Sequence, residues 1–310
     1  MLKKIVFMGT PLFAVPILKS LYQNGYPISV VYTQPPQKSQ RGQKINKSPI
    51  QGISETLNIN CRTPNSLKEN KEEYKYLKDL EIDIAIVVAY GQVIPKEFLS
   101  LAKKGFINVH ASLLPKWRGA APIQRSIMNL EKETGISIMK IQEKLDTGPV
   151  CNSYKINIMA GDNSEIISEK LSSLASEKIL DNIDGILEDK VDFKEQNHNE
   201  ATYAAKIEKK EGQINWDDTA EKIIGKINGL YPSPGAFFVH NGERYKILKA
   251  CLALGSGEIG EVLDNYLKIS CGNKKSIKVL EIQRQGKRPQ SISEFMLGSQ
   301  IKKGFNLNNV

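Results

Sequence analysis

Several stretches of this chain are continuously apolar over the length of one β-strand, and they alternate with stretches of helical periodicity. The clearest is IDIAIVVAY at residues 82–90, which carries no charged residue after Asp83. Strands without polar alternation are buried on both faces, as in a parallel sheet covered by helices. The pattern therefore predicts an α/β fold for the N-terminal part of the chain.

Six strands of this kind are predicted before residue 160, namely KKIVFM, SVVYT, IDIAIVVAY, FINVH, ISIMKI and PVCNSYKI. Helices are predicted between and after them over residues 13–22, 49–57, 66–80 and 164–187. This order predicts a Rossmann-like parallel sheet within a domain of residues 1–188. The following stretch, 189–208, is polar and aperiodic, and we interpret it as a linker.

The remaining residues, 209–310, have a different pattern. A helix is predicted over AEKIIGKINGL, and short apolar strands then recur about every ten residues, with Asn-Gly and Gly-Asn turns among them. These strands are GAFFVHN, RYKILKACL, GEIGEVLD, YLKISCG and KSIKVLEIQ, and a last helix is expected near Ser293. Evenly spaced short strands indicate a small β-barrel, which we expect to be OB-like.

Composition excludes some classes of protein. Hydrophobic residues make up 40% of the chain and charged residues 25%, and the longest apolar run is too short to span a bilayer. The N-terminus enters a strand pattern at once, so we expect a cytoplasmic protein. The four cysteines are far apart and there are three histidines, so we expect reduced thiols and no metal site.

Positive charge is unevenly distributed. The net charge is +9, and from Ala205 onward there are 17 Lys and Arg against 11 Asp and Glu. Between Thr33 and Ser54 the sequence has four basic residues and no acid, namely Lys38, Arg41, Lys44 and Lys47. A basic loop is usually only a solvated surface, but it also suits a polyanionic partner such as nucleic acid.

Two polar residues end the predicted strand FINVH. Asn108 and His110 are two positions apart, so their side chains leave the strand on the same face. In open α/β sheets ligands bind outside the carboxyl ends of the strands, which makes these residues candidates for a site. The structural alternative is that both only hydrogen-bond the following loop.

Two turns follow predicted strands of the first domain. Asp146, in LDTGPV, is by itself an ordinary turn residue. The first turn, Gly9-Thr10-Pro11, follows a strand and precedes a helix, as a dinucleotide-binding turn does. It lacks the second and third glycines that bring the backbone close to a pyrophosphate, so we predict a plain tight turn.

The motifs INVHASLLPKWRGAAPIQRSI, LDTG, FMGTPLFAVPIL and VVAYGQVIP resemble those of the folate-dependent formyltransferases. The continuation WRGAAPIQ, with KIEKKEGQINW and INGLYPSPGAFF in the second domain, narrows the resemblance to the methionyl-tRNA formyltransferases. Ala111 departs from the family, which more often has glycine there, but a small residue still fits.

The resemblance implies an enzyme that moves a formyl group from 10-formyltetrahydrofolate to the methionine amine of initiator methionyl-tRNA, without a metal, and we expect a monomer. It implies catalytic roles for Asn108, His110 and Asp146. The folate-binding residues it implies are Val88, Ala89, Tyr90, Gly91, Ser112, Leu113, Leu114 and Pro115. It assigns tRNA binding to the loop that contains Lys38, Arg41, Lys44 and Lys47, and Lys206, Lys209 and Lys210 are weaker candidates from the second domain.

The residue types suit this chemistry. Formyl transfer to an amine passes through a tetrahedral oxyanion, to which the Asn108 amide and the His110 imidazole can donate hydrogen bonds. His110 can also move protons near neutral pH, and Asp146 would orient it.

The sequence is compatible with other interpretations. A UDP-amino-sugar formyltransferase or a formyltetrahydrofolate hydrolase would share Asn108, His110 and Asp146, and only the basic loop and the basic second domain favour tRNA. A non-catalytic RNA-binding protein would need neither the Asn-x-His pair nor its place at a strand end, and the second domain lacks a dense aromatic platform.

Overall fold

The computed structural model describes residues 3–39, 44–299 and 301–308. The chain forms two compact units, each built from three stretches of sequence. One unit contains Met1–Gly119, Gly135–Ile156 and Ser168–Tyr203, and the other contains Ala120–Thr134, Asn157–Ile167 and Ala204–Val310.

The strands are β1 Ile5–Gly9, β2 Ile28–Tyr32, β3 Gln37–Ser39, β4 Lys44–Asn46, β5 Cys61–Arg62, β6 Ile84–Val88, β7 Phe106–His110, β8 Arg118–Gly119, β9 Glu133–Lys140, β10 Val150–Asn157, β11 Tyr203–Ala204, β12 Ala236–His240, β13 Glu243–Ala253, β14 Lys268–Ser270, β15 Ser276–Arg284 and β16 Gln290–Ser291. The α-helices are α1 Val15–Gln23, α2 Pro49–Thr56, α3 Lys71–Leu80, α4 Lys96–Leu99, α5 Pro122–Met128, α6 Ser164–Leu187, α7 Ala220–Gly229 and α8 Ile292–Met296. Short 3-10 helices occupy Leu12–Ala14, His198–Glu200 and Lys209–Gly212.

The first unit is organised around a seven-stranded sheet with the order β10-β9-β7-β6-β1-β2-β5. Its central strands run parallel: β1 pairs with β2 and β6, β6 with β7, and β2 with β5. Strand β9 is antiparallel to β7, so the sheet is parallel-rich rather than wholly parallel. The predicted Rossmann-like α/β fold is confirmed with this one difference in strand direction.

The buried strands explain why this sheet forms. All five residues of β1 and of β6 are buried, and they are mainly β-branched or large apolar side chains. Burying one such side chain fully contributes roughly 1.5–3 kcal/mol. Helix α3 begins at Lys71 rather than at Ser66 as predicted, because the Asn70 side chain accepts a hydrogen bond from the Glu73 backbone N–H, at 3.1 Å, and so caps the helix there.

The second unit contains an antiparallel sheet with the order β12-β13-β15-β14, and β16 pairs with β15. Its strands form a curled half-barrel, which is consistent with the predicted small β-barrel domain. Its core includes Trp216, Phe238 and Ile247. The stretch GEIGEVLD, predicted as a strand, contributes only isolated bridges at Glu261 and Val262.

The carboxyl ends of β1 and β6 are tied together in the first unit. The hydroxyl of Thr10 donates to the Tyr90 carbonyl oxygen at 2.8 Å, and the side-chain amide of Gln34 donates to the same oxygen at 3.1 Å. A Cβ at Gly9 would lie 2.9 Å from the Ala14 Cβ and 3.1 Å from the Val88 carbonyl oxygen. Gly9 therefore allows close packing within the protein, which accounts for a glycine in this turn.

Candidate active site

Three polar side chains meet at the carboxyl end of β7. Asn108 and His110 lie on the strand, and Asp146 lies in the turn between β9 and β10. The Asn108 Nδ2 is 3.5 Å from Asp146 Oδ1, and the His110 Nδ1 is 3.7 Å from Asp146 Oδ2. The structure thus brings together all three residues that the sequence predicted as catalytic. His110 is buried, whereas Asn108 and Asp146 are partly exposed.

The hydrogen bond of His110 fixes which ring nitrogen is free. His110 Nε2 lies 3.0 Å from the carbonyl oxygen of Trp117. A carbonyl oxygen can only accept, so Nε2 carries the hydrogen and donates it. In the neutral ring, Nδ1 is then a lone-pair acceptor, and it faces Asp146. This is the arrangement of a side chain that can take up a proton next to a carboxylate.

The turn that carries Asp146 is held on both sides. Its Oδ2 accepts a hydrogen bond from the Gly119 backbone N–H at 2.9 Å. The side-chain amide of Gln196 donates to the Asp146 carbonyl oxygen at 2.9 Å and to the Gly148 carbonyl oxygen at 2.7 Å. Asp146 has a φ of 50°, in the left-handed region that non-glycine residues seldom adopt. The hydrogen bonds to its carbonyl oxygen and its carboxylate hold Asp146 in this conformation.

The loop after His110 is fixed by Ser112 and Ser137. The Ser112 hydroxyl donates to the Lys116 carbonyl oxygen at 2.6 Å, and the Ser137 hydroxyl donates to the Ser112 carbonyl oxygen at 2.8 Å. Ser137 Oγ also accepts a hydrogen bond from the Leu114 N–H at 3.0 Å. Ser112 is buried, and the three residues that follow it, Leu113, Leu114 and Pro115, are half-buried. They offer an apolar surface immediately after the histidine.

Residues 88–91 comprise the last residue of β6 and the start of the loop after it, and β6 neighbours β7 in the sheet. Val88 and Tyr90 have their side chains in the core, and burial raises the pKa of the Tyr90 phenol. Ala89 and Gly91 are exposed and have positive φ values of 46° and 77°. In this loop the surface is therefore formed by Ala89 and Gly91, while Val88 and Tyr90 support it from inside.

The basic residues predicted between Thr33 and Ser54 are only partly described. Strands β3 and β4 form a short antiparallel pair that contains the backbone of Lys38 and Lys44. Their side chains, and the whole of Arg41, lie outside the described residues. Lys47 is exposed and forms an ion pair with Glu55, with an Nζ to Oε2 distance of 2.8 Å.

The basic residues predicted in the second domain are exposed. Lys206 precedes a 3-10 helix that carries Lys209 and Lys210. This helix begins with a capping box between Glu208 and Glu211. Lys210 also pairs with Glu208, with Nζ 2.9 Å from Oε2, so part of its charge is already compensated.

Two features are absent from the described part of the chain. Within residues 3–39, 44–299 and 301–308, no cluster of three or more His, Cys, Asp or Glu side chains could hold a metal ion. No helix among those residues is both long and apolar enough to cross a membrane.

Comparison with known proteins identifies the family. A family model described as formyl transferase matches residues 3–183, and a second, described as formyl transferase, C-terminal domain, matches residues 206–300. The chain belongs to the formyl transferase family.

Relatives of this formyl transferase are similar over its whole length. It is 73% identical over 310 residues to a methionyl-tRNA formyltransferase of Pelagibacter ubique (strain HTCC1062), covering 100% of each chain. It is 41% identical over 305 residues to a methionyl-tRNA formyltransferase of Brucella anthropi, covering 97% of this chain and 99% of the relative.

A solved structure shares the fold. An N-formyltransferase from Helicobacter canadensis, in complex with folinic acid and dTDP-3-aminofucose, matches with a TM-score of 0.68 and 22% identity. The match covers 90% of this chain and 99% of that chain. At this identity the likeness supports the fold of the formyl transferase and not its acceptor.

Sequence reasoning missed several residues that shape this site. The Trp117 carbonyl and the Gly119 N–H act through the backbone, which residue type does not show. Gln196 lies 50 positions from Asp146, in a stretch whose polar composition indicated a linker. Its 8% exposed fraction could not be predicted, because no apolar periodicity surrounds it.

Proposed function

We propose that this formyl transferase moves the formyl group of 10-formyltetrahydrofolate to the α-amino group of methionine on initiator methionyl-tRNA. The observation that carries the acceptor is the 73% identity, over the full length of both chains, to a methionyl-tRNA formyltransferase. The meeting of Asn108, His110 and Asp146 at a strand end supports the reaction type.

The geometry suggests a division of roles. The methionine amine attacks the formyl carbon, and the carbonyl oxygen becomes an oxyanion in the tetrahedral intermediate. Among the described residues, the side-chain amide of Asn108 makes only a long 3.5 Å contact to Asp146, so its N–H can turn to that oxyanion. The neutral His110 ring has already given its Nε2 hydrogen to Trp117, so it has no second hydrogen for the oxyanion.

His110 is therefore suited to proton transfer. Its Nδ1 takes the proton that the amine nitrogen loses after attack, and the Asp146 carboxylate stabilises the resulting imidazolium. The same proton then passes to N10 of the folate as the bond between that nitrogen and the formyl carbon breaks. The products are the formylated amine and tetrahydrofolate, so atoms and protons balance.

The proposed folate site uses the two loops beside the triad. Leu113, Leu114 and Pro115 provide an apolar wall for the pteridine ring, and Ala89 and Gly91 are exposed at the end of the neighbouring strand β6. Ser112, Val88 and Tyr90 are buried, and they act by holding these loops.

The proposed tRNA site uses the basic residues. Lys38, Arg41, Lys44 and Lys47 lie between Thr33 and Ser54 in the sequence, and Lys206, Lys209 and Lys210 belong to the second unit. Lys47 and Lys210 are paired with Glu55 and Glu208, and the remaining positive charge of the group attracts the phosphate backbone. We propose catalysis for residues 1–188 and tRNA binding for residues 209–310, joined by residues 189–208, in a cytoplasmic monomer. The joining residues up to Tyr203 belong to the first compact unit and those from Ala204 to the second.

One experiment tests the acceptor directly. The purified chain is supplied with 10-formyltetrahydrofolate and either methionine-charged initiator tRNA or an amino sugar linked to UDP or dTDP, and formylated products are identified by mass spectrometry. The expected result is formylmethionyl-tRNA, with no product from a matched Asp146→Ala variant. Formylation of the sugar alone would contradict the proposed acceptor and leave the donor unchanged.

A further inference from the structure

The segment after α6 that contains Lys194 and Gln196 returns to the active-site turn. The backbone N–H of Lys194 donates to the Val150 carbonyl oxygen, and the N–H of Val150 donates to the Lys194 carbonyl oxygen, both at 2.9 Å. This pair of hydrogen bonds places the segment beside the first residue of β10, immediately after the turn that carries Asp146. The segment is therefore a fixed part of the first unit at this position.

Gln196 connects this segment to the turn. Its side chain is 8% exposed, and both polar atoms of the amide are used. Nε2 donates to the carbonyl oxygens of Asp146 and Gly148, and Oε1 accepts two hydrogen bonds from Arg118, at 3.1 Å from Nε and 2.6 Å from Nη2. One amide thus spans the turn from Asp146 to Gly148 and ties it to β8.

Arg118 fixes the orientation of that amide. Arg118 is 2% exposed and its guanidinium can only donate, so the Gln196 atom facing it must be the oxygen. The nitrogen is then forced to face the two carbonyl oxygens of the turn. Arg118 Nη2 also lies 2.9 Å from His198 Nδ1, which accepts a hydrogen bond from it. The amide of Gln196 therefore has one orientation, which is the one that holds the turn.

We propose that Gln196 is a positioning residue of the formyl transfer, acting by holding the Asp146 carboxylate opposite His110. Asp146 has a left-handed backbone, with a φ of 50°. If the Gln196 nitrogen is removed, the Asp146 carbonyl oxygen loses its side-chain hydrogen-bond donor. The turn then relaxes, and the carboxylate leaves its place 3.7 Å from His110 Nδ1. A displacement of about 1 Å can lower a rate by roughly 100-fold. The catalytic part of this inference rests on the proposed function.

The key variant is Gln196→Glu. It keeps the size of the side chain and an oxygen for Arg118, but it replaces the nitrogen that donates to the turn. We expect kcat with methionyl-tRNA to fall about 10- to 100-fold, with KM for both substrates changed less than about threefold. Gln196→Ala should show at least the same loss in kcat.

Asn182→Ala is the matched control. Asn182 is also a buried side-chain amide of the first unit, 1% exposed, and its Nδ2 donates to Tyr154 Oη at 2.8 Å and to the Lys178 carbonyl oxygen at 2.7 Å. Its loss should lower the melting temperature by at least as much as Gln196→Glu does. We expect it to leave kcat within about threefold of wild type, since it does not hold the turn.

A second measurement does not depend on activity. The chain has three histidines, so the imidazole nitrogen resonances of His110 can be assigned by substitution and followed by NMR. In Gln196→Glu the Nδ1 resonance of His110 should move because the carboxylate opposite it moves, and it should stay in place in Asn182→Ala. If wild type does not formylate methionyl-tRNA, the proposed function fails, while this shift still tests the positioning.

A kcat for Gln196→Glu within about threefold of wild type, or an unmoved His110 resonance in that variant, overturns the positioning role. A fall in kcat that Asn182→Ala matches at equal loss of stability also overturns it, because the effect is then general destabilisation. A fall in kcat with a moved resonance, both absent from the control, supports it.

Discussion

At the scale of single residues, the two groups that face the His110 ring nitrogens belong to residues with left-handed backbones. Trp117 and Asp146 have φ values of 62° and 50°, and each such residue costs on the order of 1–3 kcal/mol. The Trp117 N–H donates to Thr202 Oγ1 at 2.9 Å, while its carbonyl oxygen accepts from His110. These hydrogen bonds offset the strain at Trp117, and those from Gly119 and Gln196 do the same at Asp146.

Asp146→Asn separates the charge of this residue from its shape. Asparagine adopts the left-handed region readily and still accepts from the Gly119 N–H, so we expect the free energy of unfolding to change by less than about 1 kcal/mol. The variant cannot stabilise an imidazolium at His110, so kcat should fall at least about 100-fold. Single-turnover formylation and urea unfolding measure the two effects. Near-normal turnover would remove the carboxylate from the mechanism.

The other two members of the cluster are tested by truncation. Asn108→Ala removes the proposed oxyanion donor, and His110→Ala removes the proposed proton acceptor. Each should lower the single-turnover rate at least about 100-fold, as the loss of such groups does elsewhere. Surface variants such as Lys78→Ala serve as controls that should keep the wild-type rate. A variant that turns over normally shows that its side chain has no such role.

We expect His240 to make the stability of the second unit depend on pH. The ring is 4% exposed, packs edge-on to Phe305 with centroids 4.6 Å apart, and has no hydrogen-bond partner within the part of the chain described. Burial lowers its pKa below the usual value near 6.5. Opposite it on β13 lies Glu243, whose carboxylate is engaged by Arg284, at 2.5 Å and 2.7 Å, and by the Tyr245 hydroxyl.

The sign of the effect follows from that lowered pKa. Below about pH 6.5 the unfolded chain binds a proton at His240 more readily than the folded chain does. The free energy of unfolding is therefore unaffected by His240 above this pH and falls as the pH drops below it. We expect His240→Phe, which keeps the ring contact, to lose less unfolding free energy than wild type between pH 7.5 and pH 5. Denaturant unfolding at the two pH values measures this. Equal losses in both proteins would show that His240 is not responsible.

At the scale of elements, the turn between β9 and β10 depends on Gly148. A Cβ built there would lie 1.9 Å from the Lys140 carbonyl oxygen, which is backbone and cannot move aside. Gly148→Ala should therefore displace the turn that carries Asp146 and lower kcat at least about tenfold. Gly52→Ala is the control, because Gly52 lies in α2 with open space around it and alanine favours helix by about 0.5–1 kcal/mol. Kinetics and thermal unfolding of both variants test the difference.

The elements also show what the sequence could predict. Strand β7 and its same-face pair Asn108 and His110 followed from a period of two and from polar residues at a strand end. Asp146 could be selected only through a resemblance, since an Asp-x-Gly turn is common. The antiparallel direction of β9 could not be predicted, because a fully buried strand has the same apolar pattern in either direction. Gln196 depends on a partner 50 residues away, which local patterns cannot reveal.

At the scale of the whole molecule, charge is the property that bears on the acceptor. The chain has a net charge of +9, and 17 Lys and Arg stand against 11 Asp and Glu from Ala205 onward. Some basic residues of the chain are already in ion pairs, as Lys47 is with Glu55 and Lys210 with Glu208. Net charge alone therefore overstates the number of cations free to meet phosphates, and a salt titration counts them directly.

Each phosphate contact releases counterions, so the affinity for methionyl-tRNA should fall linearly on a plot of log association constant against log salt. With up to seven proposed basic residues, a slope of about −3 to −6 is expected. Arg41→Ala should weaken binding and make the slope shallower by about one unit, whereas Lys78→Ala, an exposed lysine on α3 that carries the same charge, should not. Fluorescence anisotropy of labelled tRNA over 50–300 mM salt measures both. A flat response in wild type would contradict a phosphate-binding surface, and equal slopes for Arg41→Ala and wild type would exclude Arg41 from it.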